Sequence, residues 1–356
     1  MEFINLSKHY NIINGVIPPF SKLRTMKPII TSQQLDILNN ENDDSYIKWL
    51  IDKKIIVVPI RRVSLGNNFI HRIEFPRRIL FEMTNRCNYQ CKMCPRQKMT
   101  RPEMDMPADS YCRIIDEIEE YGIEGLWLYH LGESFLHPEF KKIVEYISTK
   151  KKLGTIWMST NGILFHEKNI NFVIKKSNID YINISVHAVT KKTYNKVIPT
   201  GNFDIVQKNL MKFYEIKGSN HAYKRPLLHC QMIEQETTKH EVDGFIKMHY
   251  NKADIVSINM LEYINIGNNS FGIVQRKRKP LTSCTRVTRN DCFIFSNGDV
   301  TLCDAAFNAE ICLGNINEKS LYEIWNDIER KRILELNEKG NMFKNHFCRQ
   351  CTDYDI

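Results

Sequence analysis

Three cysteines in one short stretch, Cys87-Asn-Tyr-Gln-Cys91-Lys-Met-Cys94, constrain this chain more than any other feature. Thiols so close in sequence must share one tight loop. The chain holds eleven cysteines in 356 residues. A disulfide scaffold is unnecessary at this length and unsuited to a reducing compartment, so the clustered spacing points to metal. Zinc sites generally take four ligands in paired C-x2-C spacing. A C-x3-C-x2-C loop instead suits three irons of a 4Fe–4S cubane and leaves the fourth iron without a protein ligand.

The composition allows a real core, with 42% hydrophobic and 26% charged residues. No run of about 18 apolar residues is present, so no membrane span is expected. The start, Met1 to Asn5, lacks the basic-then-apolar pattern of a secretory signal, and a cytoplasmic protein is expected. The net charge of +9 is compatible with an anionic substrate, phosphorylated or nucleotide-linked, or with an acidic peptide. The densest basic run, Arg276 to Lys279, stops at Pro280 and lacks aromatic interleaving. It reads as a solvated linker, and no nucleic-acid partner is expected.

Residues 1–78 read as an N-terminal extension. Thr31 or Ser32 can cap a helix from Gln33 to Leu38, and Asp44 or Ser45 one from Tyr46 to Asp52. The β-branched run Ile55 to Val58 reads as a strand. Helix, helix, strand suggests a small winged-helix-like piece, either a docking module or packing for the main domain. From residue 79 strands alternate with helices. The strands are Ile79–Phe81, Leu126–Tyr129, Thr155–Met158, Tyr181–Val186, Leu227–Gln231 and Ile255–Ile258. Amphipathic stretches such as Tyr111–Tyr121, Phe140–Ile147 and Val242–Met248 lie between them. This alternation predicts an α/β fold of parallel β–α units. In barrels of such units the active site sits at the C-terminal strand ends. Past Pro280, short segments, turns and cysteines take over, with a boundary expected near residues 265–281.

Several motifs follow strands. Leu131-Gly132-Glu133-Ser134 comes after the second strand, Ser159-Thr160-Asn161-Gly162 after the third, and Ser185 ends the fourth. With the cysteine loop, in this order, they resemble the radical S-adenosylmethionine (SAM) superfamily. That resemblance implies a partial (β/α)6 TIM-like barrel over residues 79–270. It implies a 4Fe–4S cluster on Cys87, Cys91 and Cys94 whose open iron chelates SAM. Gly132 and Glu133 stand where the family has a Gly-Gly-Glu-Pro-like motif that holds the SAM amino group, although Leu131 and Ser134 depart from it. Asn161 and Ser185 are then expected near the ribose and carboxylate, and Met93 near the adenine.

The C-terminal residues 271–356 carry Cys284, Cys292, the hairpin signal Asn297-Gly298, Cys303, and the pair Cys348-Arg-Gln-Cys351. They resemble the SPASM/twitch extension of the same superfamily, which holds auxiliary clusters. The resemblance implies one auxiliary 4Fe–4S cluster on Cys284, Cys303, Cys348 and Cys351, with Cys292 the alternative to Cys284. A zinc site on the same thiols is the other possibility. Cys112, Cys230, Cys292 and Cys312 are left over.

Among single-auxiliary-cluster enzymes the chain is similar to radical dehydrogenases and epimerases of sugar and aminocyclitol metabolism. Ser185-Val186-His187-Ala188 carries part of that likeness. His187 is a candidate for substrate contact or proton transfer, or else a hydrogen-bonded structural residue. A dehydrogenase would pass an electron to the auxiliary cluster. An epimerase would quench its carbon radical with a thiol, for which Cys230 and Cys312 are the candidates. Peptide maturation is the alternative, since many such enzymes dock a leader through an N-terminal domain; a non-enzymatic metal scaffold is a further one. A small-molecule or peptide substrate and a flavodoxin- or ferredoxin-like electron donor are the implied partners.

Overall fold

Alternation along each strand decides which face it buries, and here two faces want different things. On one, Ile79, Phe81, Leu126, Leu128, Ile156, Met158, Ile182, Ile184, Leu228 and Met232 are buried in a single apolar core. On the other stand Trp127, Trp157, Tyr181 and Ile255 below, with hydroxyls and amides above. The structure, a computed structural model, describes residues 26–27, 74–218, 225–250, 252–260 and 282–351. The expected helices Gln33–Leu38 and Tyr46–Asp52, the strand Ile55–Val58, the run Arg276–Lys279 and the whole boundary region 265–281 lie outside these residues.

The described strands are β1 (Met26–Lys27), β2 (Arg78–Phe81), β3 (Gly125–Trp127), β4 (Thr155–Thr160), β5 (Tyr181–Ser185), β6 (Leu227–Glu234), β7 (Ile255–Met260), β8 (Asp291–Ile294), β9 (Asp299–Thr301) and β10 (Gly314–Asn315). They form one sheet in the order β1-β7-β6-β5-β4-β3-β2-β8-β9-β10. Strands β2 to β7 run parallel to their neighbours, in the order of the chain. This is an α/β partial barrel, open rather than closed. Strand β8 continues it by pairing in parallel with β2, and β9 and β10 return antiparallel.

Helices α1 (Ala108–Tyr121), α2 (Phe140–Ser148), α3 (Glu167–Lys176), α4 (Lys191–Val197), α5 (Phe203–Gly218) and α6 (Val242–His249) fill the crossovers. In α2, Phe140, Ile143, Val144 and Ile147 recur at helical spacing and are all buried. α1, α3, α5 and α6 likewise give apolar residues to the sheet's outer core. Beyond β7 come the short α7 (Thr285–Thr288), α8 (Leu321–Trp325) and α9 (Ile328–Glu338). Ser320 and Glu323 close a reciprocal cap on α8. The expected hairpin turn is present: Gly298 sits at φ 91°, and the Phe295 N–H donates to the Asp299 carbonyl at 2.9 Å. No described helix is long and apolar enough to cross a membrane.

Candidate active site

The cysteine loop leaves β2 at the C-terminal end of the parallel strands and is braced on both sides. The Asn85 side chain donates to the Pro102 carbonyl at 2.8 Å and accepts from the Met104 N–H at 2.7 Å. Arg86 clasps Asp105 through two nitrogens. On the far side the Lys92 N–H donates to the Val197 carbonyl at 3.0 Å, and the Gln90 N–H to Thr200 Oγ1 at 2.8 Å. Cys87, Cys91 and Cys94 are thereby held partly buried. Burial pushes the Cys87 thiol up to about 11, with nearby Glu133 and Cys94 adding to the effect. Cys91 is raised further, by burial first and then by Cys94 and Cys87. Three mutually repelling thiolates become stable together only beside positive charge, which iron supplies, so this donor set fits a cluster. No three of the described His, Cys, Asp and Glu side chains converge tightly on one point as a single-ion site would need.

Gly132 lies against this loop. A Cβ there would stand 2.0 Å from the Thr84 carbonyl oxygen and 2.9 Å from that of Arg86. Only glycine permits the approach. The next residue locks it, with the Glu133 N–H donating to the Arg86 carbonyl at 2.8 Å. The Glu133 carboxylate accepts from Thr160 Oγ1 at 2.9 Å and from the Asn161 N–H at 2.7 Å. Burial nevertheless pushes it up to about 7, against the pull of those donors. Among the described residues no lysine or arginine pairs with it, so the position suits a cationic group on a ligand. Asn161 reaches Asn88 Oδ1 at 2.8 Å and lies 4.0 Å from Cys87 Sγ. Glu133, Asn161 and the cysteine loop therefore form one constellation. Met93 is buried in a neighbouring apolar cluster with Tyr89, Ala188, Tyr194, Val197 and Ile198, beside Cys87 and Cys91.

Ser185 faces the barrel interior with Asn183, two residues below it on β5. Residues around them, which sequence reasoning did not single out, complete a polar inner wall. Asn183 Nδ2 donates to Gln231 Oε1 at 2.7 Å and to Ser159 Oγ at 3.1 Å. His229 Nε2 and Ser257 Oγ are 2.6 Å apart. Asn183 Oδ1 and Asn259 Oδ1 are buried and have no hydrogen-bond partner among the described residues. The signal was present as polar residues at every second position of otherwise apolar strands.

The structure gives His187 the hydrogen-bonded structural placement, and sets Cys230 and Cys312 away from the inner wall. His187 does not project freely from the strand end. It is buried at φ 61°, and its Nδ1 accepts the Ile233 N–H at 3.1 Å, so the ring clasps β5 to β6. Cys230 lies on the helix face of β6, fully buried, 3.5 Å from the Tyr214 hydroxyl, its thiol pushed up to about 12 by burial. Period-two alternation puts it on the opposite face from its neighbours His229 and Gln231. Cys312 is exposed beside β10, 3.6 Å from the Gly314 carbonyl. Neither thiol lies on the inner wall.

The C-terminal cysteines Cys284, Cys303, Cys348 and Cys351 lie within electrostatic reach of one another. Cys284 precedes α7, Cys303 follows β9, and Cys348 and Cys351 flank one turn closed by the Cys351 N–H donating to the Cys348 carbonyl at 3.1 Å. The Cys348 thiol is pushed up to about 12 by burial and then by Cys284 and Cys351. Cys303 is raised by burial, with Cys284 and Cys351 again among its neighbours. Cys292 stands apart, within β8, beside Arg330 and Asp291. Four soft sulfur donors of this kind fit an iron–sulfur cluster.

Comparison with known proteins places two family matches along the chain. Residues 81–232 match the Radical SAM superfamily, and residues 284–352 match SPASM, an iron–sulfur cluster-binding domain. A GTP 3',8-cyclase of Desulforamulus reducens is 25% identical over 154 residues, 42% of this chain and 46% of that protein. A tungsten-containing aldehyde ferredoxin oxidoreductase cofactor-modifying protein of Pyrococcus furiosus is 32% identical over 91 residues, 25% of each chain. The chain thus spans less than half the length of these curated relatives. Among solved structures, BtrN in complex with AdoMet and 2-DOIA has a TM-score of 0.51 at 17% identity, covering 79% of this chain and 95% of its own. Streptococcus suis SuiB bound to S-adenosylmethionine reaches 0.55 at 14% identity, covering 90% and 77%. At such identities these structures share the fold.

Proposed function

We propose that this radical SAM protein, its partial barrel joined to a SPASM iron–sulfur domain, is a dehydrogenase that oxidises a hydroxyl-bearing carbon of a small polar molecule. The observation that carries the reading is the inner wall of Ser159, Asn183, Gln231, Ser257 and Asn259, rich in neutral hydrogen-bonding groups. A cluster on Cys87, Cys91 and Cys94, with SAM beside Glu133 and Asn161, would supply reductive SAM cleavage and hydrogen abstraction, and a cluster on Cys284, Cys303, Cys348 and Cys351 would take up the electron released as a carbinol becomes a ketone and loses a proton.

The chain's own residues bind and orient. Asn183 Nδ2 donates to Ser159 and Gln231, and its Oδ1 has no hydrogen-bond partner among the described residues. On the inner wall His229 Nε2 meets Ser257 Oγ at 2.6 Å, and His187 Nδ1 accepts the Ile233 N–H. Epimerisation needs a thiol facing the substrate radical. Cys230 and Cys292 sit on the helix side of their strands, Cys112 on helix α1, and Cys312 beside β10. Their placement favours oxidation.

The test is anaerobic reconstitution, iron and sulfide counting, and assay with SAM, dithionite and C-deuterated aminocyclitols, sugars and peptides. Deuterium should enter 5′-deoxyadenosine from a polyol, with a ketone product. Deuterium taken from a peptide, or a product at the substrate's oxidation level, would overturn the reading. Cys303→Ala should keep SAM cleavage but make no ketone. A Cys303→Ala protein that still forms ketone at the wild-type rate would remove the auxiliary cluster from the oxidation.

A further inference from the structure

We propose that Glu82 is a positioning residue that fixes the auxiliary-cluster loop against the SAM-binding end of the barrel. Glu82 ends the first parallel strand, just ahead of Cys87, and has no exposed surface. Its carboxylate is the meeting point of three separate segments. Oε2 accepts from Arg101 Nη1 at 2.8 Å and from both the N–H and the hydroxyl of Ser296 at 2.9 Å. Oε1 accepts from Arg101 Nη2 at 3.0 Å and lies 3.1 Å from His130 Nδ1.

The partners each reach onward to the loop that carries Cys303. His130 Nε2 is 3.1 Å from the Asp304 carbonyl, on the residue next to Cys303. Arg101 Nε donates to the Phe307 carbonyl at 2.7 Å. Asp304 in turn pairs with Arg286, two residues beyond Cys284, at 2.9 Å. Arg101 lies 4.1 Å over the fully buried Phe295 ring, and His130 stacks on the same ring with centroids 5.1 Å apart. The cysteine loop is therefore flanked by Glu82 and Arg101, which form a buried pair, and both hold the hairpin and loop that present the auxiliary ligand. Burial alone would raise the Glu82 carboxyl, yet His130 and Arg101 hold it well below the usual carboxylate range. It stays charged, and a charged acceptor makes the stronger hydrogen bonds. A group this deeply buried exceeds the needs of strand packing, where its neighbours Phe81 and Met83 already fill the core.

The inference concerns the relation between the two clusters and holds for any substrate. Glu82→Gln keeps the shape but turns amide hydrogens toward donors of Arg101, Ser296 or His130. The full chain, anaerobically reconstituted and reduced, is compared with wild type by iron counting and by the magnetic interaction between the two clusters in pulsed electron paramagnetic resonance. The expected result is 5′-deoxyadenosine formation within about twofold of wild type, with an inter-cluster interaction or auxiliary-cluster signal weakened at least about twofold. His130→Gln, which leaves the Glu82–Arg101 pair in place, should give the same change and decides the matter if Glu82→Gln does not fold. Wild-type inter-cluster interaction in a folded variant would overturn the proposal. Equal loss of SAM cleavage and auxiliary signal would also overturn it, by making Glu82 part of the SAM site itself.

Discussion

Replacing Cys91 with alanine should reduce 5′-deoxyadenosine formation to the level seen without enzyme. Cys91 is the middle cysteine of a loop whose backbone is fixed at both ends, by Met104 on one side and Val197 on the other. Its thiol feels both neighbours, Cys94 and Cys87, more than any other charged group. Removing it leaves two sulfurs for a cluster that needs three, and no described side chain stands ready to replace it. Iron should fall by about four per chain while the C-terminal site keeps its own. Fold stability should change little, because the loop is held by hydrogen bonds that do not involve this thiol, namely those of Asn85, Arg86, Gln90 and Lys92. The measurement is chromatographic quantification of 5′-deoxyadenosine with dithionite and SAM, beside a circular dichroism melt. Cleavage at the wild-type rate would remove the cysteine loop from the chemistry altogether.

The cysteine loop is the feature most legible in the sequence, because a ligand set packed into one loop is a local property. The parallel strands are nearly as legible. Runs such as Tyr181 to Val186 are apolar and β-branched enough to declare themselves. Their C-terminal ends were harder to read. β4 continues to Thr160, β6 to Glu234 and β7 to Met260, past where the apolar run stops. There the inward side chains turn polar, and polarity imitates a strand's end. The same effect hid the inner wall. In Leu228-His229-Cys230-Gln231-Met232, three apolar residues alternate with two polar ones, and the phase alone assigns Cys230 to the helix face.

Other features are not local at all. Nothing within residues 291–294 announces that they pair in parallel with Arg78 to Phe81. Glu82 reads in sequence as one carboxylate inside an apolar run. Its role depends on Arg101, His130 and Ser296, which come from three other segments. His187 shows a related limit. A histidine after a strand leaves a reachable and a structural imidazole both open, and a left-handed backbone at φ 61° turns this ring back to the Ile233 N–H.

Gly132→Ala should weaken SAM binding severely, although it adds one methyl group far from any sulfur ligand in sequence. The methyl would stand 2.0 Å from the Thr84 oxygen, 2.7 Å from the Thr84 carbonyl carbon and 2.9 Å from the Arg86 oxygen. All three are backbone atoms, so no side-chain rotation relieves the contact. Thr84 cannot easily withdraw either, because it bridges Asp105 and its hydroxyl donates to the Met104 carbonyl at 3.3 Å. Either the 131–133 segment or the approach to Cys87 must move. The first movement breaks the Glu133 N–H bond to Arg86 and carries the carboxylate away from Thr160 and Asn161. The second displaces a cluster ligand. Overpacking of this sort costs about 1–3 kcal/mol, and a rigid backbone neighbour places this site at the upper end. SAM affinity should fall at least about tenfold, equivalent to about 1.4 kcal/mol. Equilibrium binding of SAM to the reconstituted protein measures it. Glu133→Gln separates the two causes, since it removes the charge without adding volume. Weak binding in both variants would assign the effect to the carboxylate's position. Weak binding in Gly132→Ala alone, with iron lost, would assign it to the cysteine loop. Wild-type affinity in Gly132→Ala would show that this segment does not form the SAM site.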